Sequence, residues 1–172
     1  MKRIFAILIC LCTVHGANAQ STDSLQTQLA RKWVNSKIYA LNFAALMPEH
    51  AYDFKASPEE MTFGEQLLHI ADNMNWLSSS YLLIDTVQKR EKTAKLSKAE
   101  IINIVSDAYD HGLRGHLKMN KDQLDEKVKF FAGPMTRRQL LILMHDHQTH
   151  HLGQLIVYLR LKGIKPPDYV GW

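Results

Sequence analysis

Cysteine is almost missing from this chain. The 172 residues hold two, Cys10 and Cys12, both close to the N-terminus. Beyond them there is no thiol, which excludes a disulfide framework, a thiolate metal ligand and a cysteine nucleophile from the rest of the protein. No G-x-S-x-G stretch occurs, so serine chemistry of the nucleophile-elbow kind has no support. Basic runs interleaved with aromatics are also lacking, and the formal charge of +4 is mild. Together these argue against a nucleic-acid partner. There is no low-complexity tract, no internal repeat and no convincing strand alternation. The hydrophobic fraction of 46% and charged fraction of 22% are those of a globular protein with a real core.

The one long apolar run, "IFAILICLCTV" at 4–14, is too short to span a bilayer as a stable helix. It follows a basic "MKR" and precedes "ANA" at 17–19, the small-x-small pattern of a cleavage site. This reads as a signal peptide over 1–19 with Gln20 as the new N-terminus; an N-terminal anchor is the alternative. Ile9 and Leu11 precede the two cysteines, which speaks against a lipoprotein. The expected product is one domain over 20–172, periplasmic or secreted, without stable membrane insertion. It has no cysteine, and loss of Lys2 and Arg3 lowers its charge to +2.

Four helical segments can be read in that domain. In the first, from about Ser24 to Met47, Leu25, Leu29, Trp33, Ser36, Ala40, Phe43 and Met47 mark one stripe, and Pro48 ends it. An extended connection follows. The second opens at Thr62, where "TFGE" has capping-box spacing, and is expected to reach about Thr86, with Leu67, Ile70, Met74 and Leu77 inward. Residues 88–100 read as a charged, solvated linker. The third starts at the "SKAE" box near Ser97; Ile101, Ile104, Ala108, Leu113 and Leu117 are its expected core face, weakened by Gly112 and Gly115. A loop with a short extended piece at "KVKFF" leads to the "TRRQ" box. From there the fourth helix runs to about Lys162, before Gly163, Pro166 and Pro167. The fold class is all-α, a four-helix bundle with long connections. Trp33, Trp76 and Tyr158 read as core, with pocket lining as the alternative. "PPDYVGW" reads as a tail packed on the bundle end.

The fourth helix also holds "HDHQTHHLGQ" (145–154), four of the chain's nine histidines. Leu140, Met144, His147, His151, Gln154 and Tyr158 step by threes and fours and predict a core seam. His147 and His151, one turn apart on one face, can share a cation. His145, about 200° from His147 by helical period, should face solvent, and His150, roughly 60° off the seam, should flank the site. A bundle metal takes further ligands from a facing helix, and His69, beside Ile70 on the second helix, is the best candidate. His50, His111 and His116 fit less well. The competing reading has these histidines hydrogen-bonding buried polar groups in the core.

Two stretches, "TFGEQLLHIADNMNWL" and "HQTHHLGQLIVYLRLKGIKPPDY", resemble the DinB-like superfamily, which includes metal-dependent hydrolases of the YfiT type. The likeness covers nearly all of 20–172. It implies an up-down-down-up bundle and a divalent metal, often zinc or nickel, held here by His69, His147 and His151. Many members are homodimers. Some relatives transfer low-molecular-weight thiols in the cytosol, a substrate pool that an exported chain would not readily meet.

Three imidazoles leave a tetrahedral metal one open position, where a water becomes acidic enough to supply hydroxide near neutral pH. Glu65 and Asp72 are the nearest acids by helical spacing, and so the weak candidates for a general base. Glu65 also has its capping role, and Asp72 also reads as simply solvated. Asp146, His150 and Gln154 could orient the ligands, Gln154 best because it shares the seam. The function expected is a metal-dependent hydrolase acting on a small molecule. The alternatives are a metal- or ligand-binding module without turnover, a transferase of the thiol type, and a purely structural metal.

Overall fold

The computed structural model describes residues 25–91 and 95–172. The expected signal peptide lies outside the described residues. Helix α1 (Leu25–Leu46) leads through a 3-10 turn at Glu49–Ala51 to α2 (Phe63–Tyr81) and then to α3 (Lys98–Lys118). A short α4 (Lys121–Asp125) and a two-stranded hairpin, β1 (Lys127–Val128) with β2 (Met135–Thr136), precede α5 (Arg137–Leu161). No described helix is long and apolar enough to cross a membrane.

The boundaries follow local chemistry. Thr62, Ser97 and Thr136 each form the predicted capping box, and Asn120 forms a fourth that starts the unforeseen α4. Helix α2 stops at Tyr81, short of Thr86, and Leu83 adopts φ +57°, a left-handed conformation that cannot continue a helix. Gly163, at φ +71°, closes α5: its N–H reaches the Arg160 carbonyl and the Ile164 N–H reaches the Leu159 carbonyl.

Side-chain contacts fix the helix directions. The Lys98 ammonium, at the start of α3, donates to the Ala45 and Met47 carbonyls at the end of α1, so these helices are antiparallel. Gly64 faces Ile101 near the start of both α2 and α3, and Leu82, just past the end of α2, meets Gly115 near the end of α3, so those two run parallel. Tyr158 donates to the Met61 carbonyl and Ser78 meets Met144, which makes α5 antiparallel to α2. The order is up-down-down-up. The parallel α2–α3 pair accounts for the long crossover of residues 82–97.

The core face of α3 is rotated from its expected phase. Ile101, Val105, Ala108, Tyr109, His111 and His116 are buried, Ile104 and Leu113 only partly, and Leu117 is 65% exposed. The glycines explain the error. A Cβ on Gly112 would stand 2.6 Å from the Trp33 ring, and one on Gly115 would stand 2.7 Å from Leu82. They are notches for large neighbours, not weak points. Trp33, 1% exposed, fills the first and donates its indole N–H to the Tyr109 carbonyl at 2.8 Å.

Helix α5 departs in a similar way. Its buried set, Arg137, Leu140, Leu141, Met144, His145, Gln148, His151, Leu152, Leu155, Tyr158 and Leu159, spans about 140° of the helix surface. The predicted seam is one flank of that band, the flank facing α2. The other flank faces α1 and holds His145, which is 4% exposed and not solvated as expected. Its ring lies edge-on to Trp33 at 4.8 Å and 5.3 Å from His116. The tail also differs. Tyr169 meets Tyr39 and the Trp172 ring sits under Lys32, so it runs back along α1 and does not cap the bundle end.

Two expectations follow. Gly112→Ala should lower stability by about 1–3 kcal/mol through overpacking against Trp33. Gly153→Ala, where an added Cβ meets nothing within 4 Å, should raise it by about 0.5–1 kcal/mol; urea melts of both check this. The second concerns His116, whose ring nitrogens are buried without a partner among the described residues. Burial, reinforced by neighbouring His145, pushes its pKa down from 6.5 to about 3. Between these values only the unfolded chain binds the proton, so stability must fall as pH drops below about 6.5. The group contributes a slope of up to about 1.4 kcal/mol per pH unit. His116→Leu should flatten the measured slope between pH 6 and 4 by that amount.

Candidate metal centre

His69 projects from α2, and His147 and His151 project from the facing flank of α5. One ligand nitrogen from each lies within 4.8 Å of the other two. The Nε2 atoms of His69 and His147 are 3.2 Å apart. Two imidazole nitrogens bound to one tetrahedral zinc stand about 3.3 Å apart, so the His69–His147 pair already has that spacing, and His151 lies close enough to complete the set with a small movement of its ring. His147 and His151 both have pKa values lowered to about 4. Burial is the main cause for each, followed by repulsion from the neighbouring histidines. Both rings are thus neutral at ordinary pH, the state a metal ligand requires.

A chain of amides sets one ring. The His151 Nδ1–H donates to Gln66 Oε1 at 2.7 Å, which leaves Nε2 as the free lone pair. Gln66 Nε2 donates to Gln154 Oε1 at 2.7 Å, and Gln154 Nε2 donates to His150 Nε2 at 3.0 Å. Gln154 and exposed His150 thus stand one and two steps along this chain, and both also act on His151 itself, Gln154 through a side-chain hydrogen bond and His150 with its ring 5.0 Å away. Gln66 is the residue missed from the sequence. A glutamine one position before Leu67 and three before His69, on a helix face that is otherwise apolar, was the available signal. Asp146 is exposed, and His147 Nδ1 is buried without a partner among the described residues.

The remaining candidates divide. The Glu65 carboxylate accepts from the Thr62 N–H at 2.7 Å, and that bond holds its pKa below the usual range. Asp72 is not simply solvated: its Oδ2 accepts from Arg90 at 2.9 Å. Arg90 itself, expected in a solvated linker, lies against α2 with its side chain 21% exposed. Trp33 and Tyr158 are core, whereas Trp76 is 44% exposed. His50 is exposed and His111 bonds Asn75 and the Asp85 carbonyl, so neither joins the cluster.

Two cavities open on His69. One, of about 490 Å³, has charged walls that include Lys55, Glu59, Glu60 and Lys95. The other, of about 660 Å³, runs along α2 past Trp76. Asp72 and Arg90 border both.

An up-down-down-up bundle with three histidines converging from its second and last long helices defines a class of helical proteins able to hold a metal ion. The model of the DinB family matches residues 19–171, and the chain belongs to that family. It is similar to the uncharacterized protein YjoA of Bacillus subtilis, 24% identical over 144 residues, covering 79% of this chain and 90% of YjoA. YrdA of the same organism is 29% identical over 72 residues, 39% of this chain and 43% of YrdA. The crystal structure of YjoA superposes with a TM-score of 0.70 at 20% identity, over 84% of this chain and 99% of that one. A DinB-like protein from Bacillus cereus gives 0.73 at 18% identity, over 83% and 96%.

Gln66→Met keeps the volume and removes the bond to His151 Nδ1. It should weaken zinc affinity about 10–100-fold, measured by chelator competition. An unchanged affinity would show that Gln66 does not set the ligand.

Proposed function

We propose that this DinB protein binds a divalent cation, zinc or nickel, on His69, His147 and His151 and acts as a metal-dependent hydrolase on a small molecule outside the cytoplasm. The observation that carries this reading is the convergence of three imidazoles, with His69 bordering two cavities. A bound divalent ion supplies a Lewis acid and eases deprotonation of water. The chain supplies the rest. Gln66 holds the His151 ring by its Nδ1–H. Asp72 shares both cavities with His69, which supports it as the proton acceptor, and Arg90 fixes its carboxylate. Glu65, tied to its own helix start, is the poorer base. The basic, apolar and small-residue succession over 1–19 supports export.

A second reading rests on a specific observation. Both nearby acids already have partners, which favours a metal- or ligand-binding protein without turnover.

Mass spectrometry on tag-free protein should find about one equivalent of metal, lost in His69→Ala, His147→Ala and His151→Ala. No metal after dialysis against Zn²⁺ and Ni²⁺ would end the hydrolase reading and the metal-binding form of the second. Once a hydrolysed substrate is found, Asp72→Asn should keep the metal and lose about 100-fold in kcat. An unchanged kcat removes Asp72 from the mechanism.

A further inference from the structure

Successive turns of α2 place His69, Asn73, Trp76 and Ser80 on one outward face. That face floors the 660 Å³ groove, with Val87 and Arg90 from the crossover and Ile104 from α3 as its walls. Its volume is that of a small-molecule site. Most of the accessible wall is apolar, in contrast to the charged cavity on the other side of His69. Seven residues of helix separate His69 from Trp76, about 10 Å of rise.

Trp76 is not loose. Its ring lies 6.0 Å from Phe130, 6.3 Å from Phe131 and 6.2 Å from Tyr81. The indole is braced by rings and still 44% exposed. Val87, 40% exposed, stands across the groove, and its N–H is tied to Ser79 Oγ at 3.0 Å. A large apolar surface held in place but left open is preorganised to receive a ligand. Of the charged side chains on its lining, Arg90 is paired with Asp72, and the exposed Lys89 and Asp107 are of opposite sign, so the charges on the lining cancel. The groove therefore gives no reward for a charge on the part of the ligand that enters it.

We propose that this groove is the specificity subsite of the histidine centre and takes an uncharged aromatic or aliphatic arm, about 10 Å long, of a substrate whose polar reacting group sits at His69, His147 and His151. Trp76 and Val87 are its specificity-determining residues. The inference rests on the metal-centre reading above and adds the class of substrate.

Two hydroxamates separate the two claims, because both present the same metal-binding group. Calorimetry on zinc-loaded protein from the full chain should show 5-phenylpentanohydroxamate binding about tenfold or more tighter than acetohydroxamate. Trp76→Ala and Val87→Asp should each remove most of that gain. Both variants should keep the parent's zinc content and its affinity for acetohydroxamate. If acetohydroxamate binds but the arm adds less than about twofold, or the gain survives both substitutions, the subsite is overturned and the metal centre stands. If neither hydroxamate binds the zinc-loaded chain, the metal has no position open to a substrate, and the hydrolase reading falls and the subsite with it.

Discussion

Antiparallel packing of α2 on α5 sets Gln66 and His69 opposite His151 and His147, and every feature of the centre depends on that register. It is held on both sides of the histidines. Tyr158 bonds the Met61 carbonyl near the start of α2, and Ser78 meets Met144 near its end. A slip of α5 by one residue would rotate each imidazole by about 100°. His147 and His151 would leave the interface together, and the buried Gln66 would lose its acceptor role. Burying a polar amide without a partner is costly, so the Gln66–His151 bond also works against the slip. The residues that make the site are in this sense part of what fixes the helices.

Helix α5 serves two interfaces with opposite chemistry. Its α2 flank carries His147, His151 and Gln154 in a polar, partly open environment. Its α1 flank carries His145 against Trp33 and His116, where no polar group among the described residues meets the ring nitrogens of His116. Histidines two residues apart on one helix thus have different surroundings for a geometric reason. Alternate residues point in nearly opposite directions, and this helix has neighbours on both sides.

Much of the fold was legible because its signals are local. Three capping boxes, the stripe of α1 from Trp33 to Met47, the Leu67–Ile70–Met74–Leu77 face of α2 and the glycine stop of α5 depend on neighbouring residues, and each appears as read. The pair His147 and His151 with His69 was legible because helical spacing leaves few ways for them to meet. The losses came where the partner, not the pattern, decides. Gly112 and Gly115 look like weakness until Trp33 and Leu82 are known to fill their notches. His145 looks solvated if α5 is given one neighbour instead of two. Arg90 looks like one charge in a hydrophilic linker, and only the crossover places it on Asp72. Gln66 was overlooked because its partner is 85 residues away in the chain.

The Trp33 notch has an optical consequence. Its indole is sealed in the core against the rings of His116 and His145, while Trp76 stands in the groove and Trp172 in the exposed tail. The three fluorophores sample three dielectrics, so their emission separates by wavelength. Imidazolium quenches a neighbouring indole whereas neutral imidazole does so weakly. The blue edge of the spectrum therefore belongs to Trp33 and reports the charge on the paired core histidines, while the middle of the band belongs to Trp76 and reports what enters the groove.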